Sequence, residues 1–63
     1  MAMNIKEILC VSLLKLSETT SLVNITIKQL LDDTHISRQT FYNHFLDKND
    51  LIQYIYNYRI NAN

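Results

Sequence analysis

Apolar positions recur along this chain with the period of a helix, in four blocks separated by short polar breaks. In the first block, Ile5, Ile8, Leu9, Leu13 and Leu16 fall on one helical face. Asn4 stands before them as an N-cap with Glu7 in the box-like position, so a helix is expected over 5–17. Cys10, Val11 and Leu14 carry apolar character well beyond that face, leaving Lys6, Glu7, Ser12 and Lys15 as polar breaks. A helix apolar nearly all round is usually buried on more than one side, which is more cover than three small helices supply. Glu18-Thr19-Thr20-Ser21 reads as a loop, because hydroxyl and β-branched residues disfavour helix interiors. Leu22, Val23 and Ile25 are expected to fold back onto the core.

Thr26-Ile27-Lys28-Gln29 fits the T-x-x-Q capping box and opens a second helix over 27–33. Its apolar face is Ile27, Leu30 and Leu31, and Asp32-Asp33-Thr34 ends it. After His35, Ile36 is the expected plug between helices and Ser37 the cap of a third helix over 38–45. Phe41 and Phe45, at i and i+4, anchor that helix inward. Asp47 then caps a fourth helix over 48–61, with Asp50 in the reciprocal position. Leu51, Tyr54, Ile55 and Tyr58 form its core stripe, and Ile52, Tyr56 and Ile60 form a second apolar stripe.

Composition narrows the class. The chain has 63 residues, one small domain without repeats, and contains neither glycine nor proline. Tight hairpins lean on those residues, so the expected fold is all-α, with turns made by Asn, Asp, Ser and Thr. A domain of this size buries only about 60% of its unfolded surface, which makes its stability marginal. Six basic and six acidic side chains give zero net charge, without the basic excess usual in a nucleic-acid binder. The single Cys10 lies in an apolar run, which reads as a buried thiol in a reducing compartment. No apolar run approaches the ~18 residues of a membrane span and the N-terminus lacks a signal peptide's layout, so a cytoplasmic protein without membrane contact is expected.

The chemistry concentrates on the third helix. Opposite Phe41 and Phe45, an outer arc holds Arg38, Gln39, Tyr42 and Asn43: a guanidinium, two amides and a phenol. Such groups suit base edges and phosphate oxygens; Arg pairs bidentately with guanine, and Gln or Asn with adenine. A lysine in the first turn of the fourth helix, Lys48, opposes the helix dipole and reads as a phosphate clamp. His44 can donate one N–H to a phosphate even when neutral. Thr26 and Thr40 offer hydroxyls, and Lys28 is a weaker phosphate candidate. His35 and His44 have no partner at metal spacing, and no Gly-rich phosphate loop exists, so neither an enzyme nor a cofactor is expected.

Thr26-Ile27-x-x-Leu30 followed by Ile36-Ser37-x-x-Thr40-Phe41-Tyr42-x-x-Phe45-x-x-Lys48-x-x-Leu51 closely resembles the DNA-binding domain of TetR-type bacterial repressors. The resemblance covers the first helix through the start of the fourth, and Thr40 to Phe45 with Lys48 and Leu51 is its most specific part. It implies a homeodomain-like three-helix helix-turn-helix bundle plus the start of a fourth helix, residues 1–63 forming the DNA-binding domain. It further implies a homodimeric regulator, expected to repress, on a palindromic operator in double-stranded DNA. The larger helical C-terminal domain of such proteins, which dimerises and binds a small-molecule inducer, is expected to be absent here. Tyr42 resembles the tyrosine that reaches the DNA backbone through its hydroxyl, and Ser37 completes the expected DNA-facing set. His35 and Gln39 stand where the family commonly has glycine, and a glycine often found between the first two helices is missing. The competing expectation is a helical protein-interaction module that uses the surplus apolar surface of the first and fourth helices.

Overall fold

The computed structural model describes residues 4–61, with side chains through residue 57. Among these the chain is all-helical: α1 (Ile5–Leu16), α2 (Ile27–Thr34), α3 (Arg38–His44) and α4 (Lys48–Asn61). Each boundary falls within one residue of the expected one. Asn4 caps α1 by accepting from the Glu7 N–H at 2.8 Å. Thr26 and Gln29 form the full reciprocal box, Gln29 Oε1 accepting from the Thr26 N–H at 2.8 Å. Ser37 Oγ accepts from the Thr40 N–H at 3.1 Å, and Asp47 from the Asp50 N–H at 2.8 Å. Asp50 does not reciprocate onto Asp47 as expected; its carboxylate accepts from the Leu46 N–H at 2.9 Å, one residue earlier.

The turn between α2 and α3 needs one left-handed residue, and the chain has no glycine to supply it. His35 takes the position with φ 62° and ψ 22°, in keeping with the enrichment of His there. Its N–H donates to the Leu31 carbonyl at 2.8 Å, while the Thr34 hydroxyl donates to Leu30 and accepts from the Ile36 N–H.

One core joins all four helices: Leu9 and Leu13 from α1, Ile25 from the loop, Leu30 from α2, Phe41 and Phe45, and Leu51 from α4. Phe41 is fully buried and sits 5.9 Å from Phe45, ring to ring; Phe45 meets Tyr54 edge-on at 5.5 Å. The Lys6 ammonium lies 5.2 Å from the centre of the Tyr54 ring and 5.9 Å from that of Phe45, a cation–π contact that ties the start of α1 to this cluster. Ile36 packs against the core as the expected plug.

One further expectation fails. Val23 does not fold back but is 85% exposed, because the loop directs Leu22 and Ile25 inward and Val23 between them outward. Ser12, a polar break in the apolar surface of α1, is buried and donates to Asp33 Oδ2 at 2.7 Å. Asp33 also accepts from Lys15 Nζ at 2.8 Å, so this carboxylate fastens α2 to α1. The side chains of Tyr58 and Ile60 lie outside the described residues.

Truncating the ring at the centre, Phe41→Ala, is expected to cost about 3–5 kcal/mol, enough to unfold so small a domain. Loss of the cooperative thermal transition in circular dichroism checks it. The hydrogen bonds from Lys15 and Ser12 hold the Asp33 carboxyl below its ordinary value. A depressed carboxylate contributes its full stability above the unfolded-state pKa and loses it as pH falls through the folded value. Wild type is therefore expected to lose stability below about pH 4 more steeply than Asp33→Asn, read by denaturant midpoints across that range.

Candidate nucleic-acid interface

α3 has only seven residues, so its direction is set by what it buries. With Phe41 and Phe45 inward, Arg38, Gln39, Tyr42 and Asn43 are all exposed. Among the described residues, Arg38, Gln39 and Asn43 make no side-chain hydrogen bond or ion pair, so their donors and acceptors are open to a ligand. Tyr42 stacks edge-on against Phe41 with ring centres 5.0 Å apart, which steadies the ring while it stays about half exposed. The arc is thus fixed at its base and unoccupied at its tips.

The other candidate residues are already engaged within the fold. The Thr26 hydroxyl caps α2, accepting from the Gln29 N–H at 3.1 Å. Ser37 Oγ donates to Thr40 Oγ1 at 2.8 Å while accepting from the Thr40 N–H. Lys28 pairs with Asp32 at 2.9 Å across one helical turn; both ends are exposed, and such pairs contribute only about 0–1 kcal/mol. This lysine is easily released. His44 Nδ1 meets the Thr40 carbonyl oxygen at 2.9 Å. The N–H expected to serve a phosphate is therefore used inside the helix.

Lys48 departs furthest from expectation. Its ammonium reaches back to the loop between α1 and α2 and donates to the carbonyls of Leu22 at 2.8 Å, Val23 at 3.2 Å and Ile25 at 2.9 Å. A lysine has three N–H donors, and three carbonyls match them. The long side chain thereby escapes the unfavourable dipole at the α4 start by serving backbone acceptors of the α1–α2 loop. Sequence reasoning missed this role because a carbonyl acceptor is present at every residue and leaves no mark in the sequence.

Burial, with a smaller contribution from Glu7, pushes the Cys10 thiol up and disfavours the thiolate. No three His, Cys, Asp or Glu side chains come together at metal-binding distance among the described residues. None of their helices is long and apolar enough to cross a membrane. No protein-family model matches the chain, and neither a curated protein nor a solved structure is significantly similar to it.

Lys48→Met keeps the stem and removes the donors. It is expected to lower stability by about 1–3 kcal/mol through the stranded carbonyls, and to speed amide exchange at residues 22–25. Hydrogen-exchange mass spectrometry with denaturant melts checks both; unchanged exchange in the loop would sink the tie.

Proposed function

We propose that the chain is a sequence-specific DNA-binding domain of a TetR-type transcriptional repressor, a helix-turn-helix in the cytoplasm with α3 as the recognition helix in the major groove. The observation that carries this reading is the outer arc of α3. Arg38, Gln39 and Asn43 present open hydrogen-bonding groups from a helix whose inner face is locked into the core by two rings. Base readout needs that combination, since the hydrogen-bonding pattern of a base pair is read only by groups held in register. Tyr42 and a released Lys28 supply backbone contacts beside the readers. The intact regulator is a homodimer on a palindromic operator, with a dimerising, inducer-binding domain following α4. No catalytic role is assigned to any side chain.

The second reading, a protein-interaction module, also has an observation behind it. Leu13, Leu14, Leu22, Ile52, Ile55 and Tyr56 line a groove of about 150 Å³ between α1 and α4. Val11, Leu14 and Tyr56 remain exposed, Val11 and Tyr56 more than half. That volume is below the roughly 300 Å³ of a small-molecule pocket and suits an inserted side chain.

A tethered pair of chains, selected on a random duplex library, separates the readings. Linking two recognition helices is expected to raise affinity by ~10²–10⁴-fold over the single chain. Gln39→Ala should relax preference at one base position, costing ~1–3 kcal/mol on the selected site and little elsewhere, with an unchanged helical spectrum. No enrichment from the library would hand the function to the interaction module.

A further inference from the structure

The contact between His44 and Thr40 decides which ring nitrogen of His44 carries a proton. A backbone carbonyl only accepts, so the 2.9 Å approach of Nδ1 to the Thr40 oxygen requires Nδ1–H. In the neutral ring Nε2 is then a bare lone pair, and His44 is exposed at the last position of α3. A lone pair and a phosphate oxygen are both acceptors and repel. Only the imidazolium, with an N–H on each nitrogen, can hold the Thr40 carbonyl and a phosphate together.

We propose that His44 joins the DNA interface only as imidazolium, so that binding a duplex takes up one proton at Nε2. This rests on the DNA-binding reading and deepens it. The charged or titratable groups on the adjoining elements are Arg38 on the same helix, Asp47, Lys48 and Asp50 around the α4 start, Lys28, Asp32 and Asp33 on α2 with His35 in the turn that follows, and Glu7, Lys15 and Lys6 on α1, Lys6 over the neighbouring Phe45 ring. Lys28 pairs with Asp32 and Lys15 with Asp33. Lys48 is turned to the loop carbonyls, and Asp47 and Asp50 are turned to backbone N–H groups. A phosphodiester brought against the ring adds a negative charge, which favours the protonated form. The alternative route, a switch to Nε2–H, would abandon the Thr40 bond and would take up no proton.

The test uses the full chain at low salt, where phosphate attraction is greatest, with a random-sequence duplex of about two helical turns. Wild type, His44→Gln and His35→Asn are compared between pH 8 and pH 6, the region in which histidine changes charge. Nitrogen–proton correlation of the imidazole rings of the free protein reports the tautomer. The expected results are Nδ1–H at His44 and binding about three- to tenfold tighter at pH 6, in wild type and His35→Asn but not in His44→Gln. An Nε2–H tautomer, or the same pH dependence in His44→Gln, overturns the proposal. Binding equally tight at both pH values overturns it too and leaves the DNA-binding reading standing. No binding at either pH, together with no duplex enriched from the random library by the tethered pair, overturns both.

Discussion

The burial of Phe41 is the constraint on which the rest of this structure depends. Helices shorter than ~12–15 residues are marginal in water, and α3 has seven. It exists because Phe41 is fully buried in a core to which every helix contributes, with Phe45 one turn on meeting Tyr54 edge-on. The direction of the outer arc is therefore a property of the core. Arg38, Gln39 and Asn43 inherit their placement from residues that face away from them, and can vary without disturbing the packing that aims them.

A second constraint follows from the absence of glycine and proline. The helix starts and the left-handed turn rely on polar side chains, with Asn4, Thr26, Ser37 and Asp47 capping and His35 in the turn. Side chains that make turns have less freedom to make contacts elsewhere. Thr26, Ser37, Thr40 and Lys48 all belong to the DNA-facing set expected from the sequence, and all have partners within the fold. The surface open to a ligand is narrower than the motif suggests, and it centres on the outer arc of α3.

Local signals were legible in the sequence, and longer-range ones were not. Capping residues, helical periodicity and the i, i+4 phenylalanines act within one or two turns and match the structure to within a residue, although of the three expected reciprocal boxes only that of Thr26 and Gln29 closes. The Asp33 link to Ser12 and Lys15 spans more than fifteen residues, and the Lys48 link to the loop carbonyls more than twenty. Neither leaves a periodic trace, so Ser12 reads as a polar break and Lys48 as a phosphate clamp until the chain is folded. Val23 illustrates a different limit. In a loop, Leu22, Val23 and Ile25 need not all face inward, and which one is left out depends on backbone turns such as Ser21 to Ile25.

Charge sets the character of any DNA complex this domain forms. Zero net charge offers little long-range attraction to a polyanion. Within the fold, Lys15 and Lys28 are paired with aspartates, Lys48 serves the loop carbonyls and Lys6 lies over rings. Arg38 is the described cation left without such a partner, and it stands in the reading arc. Counterion release, the main source of nonspecific affinity, scales with the phosphates neutralised and is small here. Binding then leans on the short-range contacts of α3 and on whatever positive charge the site acquires on contact. On the proposed DNA-binding reading, such a domain would discriminate strongly and hold weakly, and a second copy fixed at the half-site spacing would supply the affinity that its electrostatics lack.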